Sequence, residues 1–157
     1  EMIEIGIPEF GSLALQHLVL DYNGTLACDG LLLPGITERL KILAEKLQVH
    51  VVTADTFGQV REALSDVQCT LYILPPGKQT EAKLAYVEQL GVTSSVCIGN
   101  GCNDRLMLKE AALGIAVIQE EGTSSATIIA ADVVTTSIQS ALDLLINPLR
   151  LVATLRK

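Results

Sequence analysis

Four polar residues stand where apolar runs stop: Asp21 after 17–20, Thr53 at the end of 49–53, and Asn100 and Asp104 after 96–99. Their types can do chemistry. A carboxylate is a nucleophile and a hard-oxygen ligand, a hydroxyl is a compact donor, and an amide oxygen accepts without carrying charge. Each residue also has an ordinary explanation. Asp is common in turns after strands, Thr is a good strand former, and an acid suits the start of a helix. Common placement separates the two readings. If the apolar runs are parallel strands, all four residues lie at carboxyl ends, where open α/β sheets hold ligands. Unrelated loop residues would scatter over both edges.

Periodicity supplies the elements that must position them. After the run 17–20, residues 35–47 read as a helix with Ile36, Leu40, Leu43 and Leu47 on one face. A strand is expected at 49–53, then a helix through Leu64 opened by a capping-box-like Thr56 and Gln59. A third strand spans 69–74, closed by Pro75, Pro76 and Gly77, and a helix at 80–90 stops at Gly91. Further strands are expected at 96–99, 113–118 and 132–135, with helices at 104–112 and 125–131. Ile138, Ala141, Leu142, Leu145 and Ile146 mark a last helix, followed by Pro148 and an apolar-basic tail. Such alternation predicts an α/β, three-layer Rossmann-like fold, with a mostly parallel sheet and helices on both faces. Ile3, Ile5 and Ile7 alternate before a turn at 8–11, so an N-terminal β-hairpin is expected at the sheet edge.

Composition bounds the answer. The chain has 157 residues, enough for a single domain over 1–157 with one sizeable core. With 3% aromatics and no Trp, that core must be aliphatic. A net charge of −7 argues against nucleic acid or anionic membrane as partner, and makes any phosphate site depend on local cations and a metal. Cys28, Cys69, Cys97 and Cys102 form no C-x-x-C pair and have no His at zinc spacing. No signal peptide or membrane-spanning run is visible, so a reducing, cytoplasmic setting is expected.

The motifs sharpen this outline. Asp21-Tyr22-Asn23-Gly24-Thr25-Leu26 resembles the D-x-D-G-T motif of haloacid dehalogenase (HAD)-like phosphatases and the D-K-T-G-T of P-type ATPases. Thr53 matches the second motif of that superfamily, Lys83 the third, and Gly99-Asn100-Gly101-Cys102-Asn103-Asp104 the fourth, G-D-G-x-N-D. The stretch from Ala111 to Val134 is similar to the phosphorylation domain of heavy-metal P-type ATPases. Four motifs in order cover most of the chain. The chain looks most like soluble, single-domain relatives of those ATPases.

The resemblance implies a Mg²⁺-dependent phosphohydrolase, either a phosphatase or a slow ATPase, that forms an aspartyl-phosphate on Asp21. It implies Mg²⁺ held by Asp21, the backbone carbonyl of Asn23, Asp104 and Asn100. Thr53 would bind the phosphoryl group, Lys83 would offset charge between nucleophile and phosphate, and Gly24 would allow the turn beside the ligand. Lys78 is a nearby cation in an ordinary Pro-Gly-Lys turn.

Two departures matter. Asn23 stands where the phosphatases carry a general acid/base Asp, and an amide cannot shuttle a proton. Weak hydrolysis or a long-lived intermediate is expected. Asn100 replaces an Asp and lowers the expected Mg²⁺ affinity. The gaps from Asp21 to Thr53 and from Thr53 to Lys83 leave no room for a cap domain, so 27–34 forms only a small flap and the site is open. The substrate is then a phosphorylated molecule, with macromolecules and nucleotides included. Homo-oligomers are compatible with this reading: Leu31-Leu32-Leu33 is either ordinary core, a flap contact or a subunit contact. A catalytically impaired phosphate- or metal-binding regulatory or partner subunit is the competing reading.

Overall fold

A computed structural model describes residues 1–54 and 58–157. Asp55 and Thr56, and with Thr56 the expected capping box, lie outside the described residues. Strand β3 (His17–Asp21) is the organising element. All five of its residues are buried, and it is flanked on both sides by parallel partners, β6 (Gln48–Thr53) and β8 (Ser95–Gly99). A strand covered on both faces must be apolar throughout, which is why 17–20 reads as a run rather than an alternation.

Beyond β6 lies β7 (Thr70–Ile73), and beyond β8 lie β9 (Leu113–Val117) and β10 (Val133–Thr135). Among the described residues, these six strands form one parallel sheet in the order β10-β9-β8-β3-β6-β7. Chain order reverses at β3, so its carboxyl end, beside that of β8, is the topological switch point of the sheet.

Side-chain alternation divides the core. Leu18, Leu20, Val49, Val51, Val96 and Ile98 join one cluster, with α1 (Ile36–Leu43) and α6 (Ile138–Ile146) packed on it. Val19, Val52 and Cys97 join the other, with α3 (Gln79–Leu90) and α4 (Arg105–Glu110). Asp21 shares the parity of Val19 and so belongs to the α3 and α4 face. Two shorter helices are α2 (Gln59–Ala63) and α5 (Ser125–Ala130).

The N-terminal hairpin exists, but not at the sheet edge. Among the described residues, strands β1 (Ile3–Ile7) and β2 (Gly11–Leu15) pair only with each other. One residue, Gln16, separates β2 from the central strand β3. A single residue spans under about 4 Å and cannot carry the chain to an edge two or three strands away. The hairpin instead folds its buried face, Ile3, Ile5, Ile7, Leu13 and Leu15, onto the core.

The tail is helical too. Pro148 ends nothing: it is the first residue of α7 (Pro148–Leu155), where its missing N–H costs nothing. Leu151 is fully buried in the same cluster as the hairpin. Helix α1 stops at Leu43, four residues short of the expected end, and a turn delivers the still-buried Leu47 to β6.

After Asp21, the described residues hold only a small flap: β4 (Ala27–Cys28) and β5 (Leu31–Leu32), joined through Asp29 and Gly30. Both turn residues have positive φ, 52° and 80°, as a two-residue Asp-Gly hairpin turn requires. Leu31 stands 75% exposed on this flap, whereas Leu32 and Leu33 pack against the core. No helix among the described residues is long and apolar enough to cross a membrane.

Candidate active site

The carboxyl ends of β3 and β8 bring the motifs together. Asp21 closes β3, and Asn100 follows the last residue of β8. The turn Cys102–Asp104 then leads into α4, with Asp104 fully buried. Helix α3 completes the group. Its inward face carries Lys83 and Val87 at helical spacing, so Lys83 occupies a core position and is 2% exposed.

Burying an ammonium requires partners, and Lys83 has three. Its Nζ donates to Asp21 Oδ1 at 3.0 Å, Asp104 Oδ1 at 2.6 Å and Asn103 Oδ1 at 3.2 Å. That uses all three donors of an ammonium. Burial would lower the pKa of Lys83, but Asp21 and Asp104 outweigh it and raise it, so the side chain stays charged. Burial, reinforced by Asp104, pushes Asp21 above the usual carboxylate range, against the pull of Lys83 and Thr25.

Asp104 is well satisfied, with three donors on its two oxygens. Its second oxygen accepts the backbone N–H groups of Asn100 at 3.1 Å and Gly101 at 3.0 Å. Asp21 and Asn100 are not. The Thr25 hydroxyl lies 3.1 Å from Asp21 Oδ2 and 3.2 Å from Asn100 Oδ1. One hydroxyl proton cannot fully satisfy two acceptors, so two hard oxygens converge on one point with a donor to spare for neither. The opposite end of Asn100, Nδ2, donates to the Gly122 carbonyl at 3.0 Å. This bond requires an amide, which accounts for Asn here in terms of packing.

Gly24 is forced by the same contact. Its φ is +82°, and a Cβ built there would run into the Asn100 side chain. Thr53 is the last residue of β6 and is buried, one position beyond the strand partner of Asp21. Asn23 is exposed, two residues from Asp21. Lys78 is exposed ahead of α3.

Three contributors were not singled out from sequence. Thr25 and Asn103 lie inside the first and fourth motifs. Gln119 lies outside the four short motifs, yet it follows β9 at the same carboxyl edge, and that placement is the available signal. Its Nε2 donates to the carbonyls of Gly24 and Thr25 at 3.2 and 3.0 Å. A cavity of about 410 Å³ adjoins this loop, walled in part by Gly24, Cys28, Gln119, Glu120, Glu121 and Gln139. Its charged lining residues are Glu120 and Glu121.

Comparison with known proteins bears on the fold. The chain is similar to the 3-deoxy-D-manno-octulosonate 8-phosphate phosphatase of Moraxella catarrhalis, solved with magnesium ion, phosphate ion and KDO. The TM-score is 0.68 at 17% identity, covering 85% of this chain and 86% of that one. It is also similar to the cobalt-bound deoxy-D-mannose-octulosonate 8-phosphate phosphatase of Haemophilus influenzae, with TM-score 0.66, 17% identity and coverage of 85% and 88%. A structure from Legionella pneumophila assigned to HAD superfamily subfamily III A gives TM-score 0.68 at 21% identity, covering 89% and 86%. The chain therefore shares the fold of these three structures. No protein-family model matches the chain. In sequence it is 48% identical over 84 residues to Uncharacterized protein MJ0073 of Methanocaldococcus jannaschii, spanning 51% of this chain and 90% of that protein. The chain belongs to the family of that protein. A second protein of the same organism, Uncharacterized protein MJ0072, is 46% identical over 39 residues, which is 25% of this chain and 89% of that protein.

Proposed function

We propose that the chain is a slow, Mg²⁺-dependent phosphohydrolase acting on phosphorylated small molecules through Asp21. The observation that carries this reading is the buried arrangement at the switch point: a carboxylate held between a charged Lys83 and the Thr25 hydroxyl. The substrate class and the metal draw support from the phosphatase structures solved with magnesium and phosphate or with cobalt. The aspartyl-phosphate, and ATP as an alternative substrate, rest on the motif resemblance.

In this reading an Asp21 oxygen attacks phosphorus, the ester P–O bond breaks, and the phosphoryl group passes to the carboxylate. Lys83 offsets the charge of the approaching phosphate. A phosphoryl oxygen displaces its longest contact, Asn103. Thr53 donates to the phosphoryl group. Asn23 supplies no proton, so the leaving oxygen takes one from water. The same lack slows attack of water on the acyl-phosphate.

The residues fit a hard cation. Asp21 Oδ2 and Asn100 Oδ1 share one hydroxyl proton, and the motif resemblance would add the Asn23 carbonyl as a third oxygen. Asp104, with both oxygens engaged, acts from behind Lys83 or through water. Mg²⁺ supplies charge neutralisation between carboxylate and phosphate when bound.

The second reading, an impaired phosphate-binding domain, is favoured by one specific observation: Asn100 is tied to Gly122 and brings no charge. Thermal shift with Mg²⁺ and beryllium fluoride, with single-turnover phosphate release from p-nitrophenyl phosphate, separates the two. A shift and slow release in wild type, both lost in Asp21→Ala, support the enzyme. A shift without release supports the binding domain. Neither effect in wild type removes both.

A further inference from the structure

We infer that Gln119 is a positioning residue for the nucleophile loop, acting through the backbone of Gly24 and Thr25; this rests on the reading of Asp21 as nucleophile. Residues 22–27 curl around one carbonyl. The N–H groups of Thr25, Leu26 and Ala27 all point to Tyr22 O, at 3.2, 2.9 and 3.0 Å. These bonds give the loop its curve but join it only to itself. Its outward carbonyls, Gly24 and Thr25, need a donor from elsewhere.

Gln119 provides it and is itself held at the other end. Its Nε2 reaches both carbonyls, while its Oε1 accepts the N–H of Ile138 at 2.7 Å. Ile138 is the first residue of α6, and the leading amides of a helix have no partner within it. One side-chain amide therefore ties the loop to the end of β9 and the start of α6. Rotating it loses all three bonds together.

The direction of the Thr25 hydroxyl follows from where its backbone is fixed. That hydroxyl contacts Asp21 and Asn100 at once. The segment after Gln119 holds the other loop as well: Gly122 O accepts Asn100 Nδ2, and Ser124 N–H donates to Asn100 O at 2.9 Å. Residues 119–124 thus clasp both motif loops, and Gln119 is the residue that grips the nucleophile side. It touches no reacting atom.

Side-chain type decides the test. Gln119→Glu keeps an acceptor for Ile138 but turns oxygen toward two carbonyls. Gln119→Leu keeps the bulk and removes every bond. Hydrogen exchange on the intact chain, followed over 22–27, reports the loop without reference to turnover. Exchange there is expected to rise about tenfold or more in both variants, with β8 and α4 unchanged. In an active wild type, kcat should fall in both variants with KM nearly unchanged. Wild-type exchange at 22–27 in either folded variant overturns the inference. So does a protection loss spread evenly over the sheet, which marks a general structural role. If wild type releases no phosphate, the reading of Asp21 fails, while the exchange experiment still decides about Gln119. Should Gln119→Leu not fold, Gln119→Glu carries the decision alone.

Discussion

Lys83 Nζ lies 3.0 Å from Asp21 Oδ1, an ion pair closed inside the protein between residues 62 positions apart. Asp104 stands on the other side of the ammonium at 2.6 Å. Two buried carboxylates thus depend on one cation. Replacing it leaves uncompensated charge, and breaking a buried pair from one side costs about 3–5 kcal/mol. Lys83→Met should lose that much stability near neutral pH in urea denaturation. A loss below about 1 kcal/mol would mean that the pair behaves like a surface salt bridge.

Asn23 is the cheapest test of the catalytic reading. It is exposed, so exchanging it disturbs no core. Asn23→Asp restores a proton carrier beside the leaving group and should raise phosphate release by about 10²–10⁴-fold. If Asn23→Asp is no faster than wild type while Mg²⁺ and beryllium fluoride still bind, Asp21 is not a nucleophile limited by proton transfer.

Asn100→Asp should separate stability from metal affinity. The substitution sets a carboxylate oxygen against the Gly122 carbonyl, where an amide N–H now donates at 3.0 Å. Without metal the variant should lose about 1–3 kcal/mol. With Mg²⁺ it should gain affinity, because the site acquires a second unsaturated carboxylate. Thermal melts across a Mg²⁺ titration measure both. Equal melting of the two proteins without metal would show that the Gly122 bond contributes nothing.

At the opposite end of β3, His17 Nδ1 and His50 Nε2 lie 3.1 Å apart, and His50 Nδ1 lies 2.8 Å from the Tyr86 hydroxyl. Burial, helped by the neighbouring ring, lowers His50 to about 4, and burial lowers His17. The folded state therefore binds fewer protons than the unfolded one between the ordinary value near 6.5 and about 4. Stability should be full above about pH 6.5 and fall as pH drops through that window, by roughly 3 kcal/mol from His50 at the low end. His50→Phe should flatten this part of a urea-denaturation pH profile. An unchanged slope would assign the acid sensitivity to other groups.

The cavity beside the nucleophile loop, taken as the site of the leaving group, predicts charge selection. Its charged lining residues are Glu120 and Glu121, and Glu121 also accepts the Asp29 N–H at 3.0 Å. Monophosphates with neutral or cationic leaving groups should be preferred over size-matched acids. Glu120→Gln with Glu121→Gln should narrow the difference. Equal kcat/KM across a charge-varied panel in wild type would rule the cavity out as leaving-group site.

Much of this architecture was legible in the residues. Periods of two and 3.6 located the strands and helices. Fully apolar runs marked a sheet covered on both faces. Strand direction alone puts Asp21, Thr53, Asn100 and Asp104 on one edge, the carboxyl edge where open α/β sheets hold ligands. Those inferences succeed because they depend on local burial and on strand direction, both written in short windows of sequence.

What tertiary structure alone decided were contacts between distant windows. The motif alone marks Lys83 as a cation for the phosphate. Its place between two carboxylates follows from how α3 packs across β3 and β8. His17 and His50 meet only because β3 and β6 become neighbours in register. Gln119 carried no motif, since its role is to bond backbone carbonyls, which every residue possesses. The hairpin left the sheet edge because β3 proved central, and Pro148 began a helix because Leu151 had a core to enter. Strand order and helix packing are global solutions to burial, and no local pattern encodes which solution the whole chain adopts.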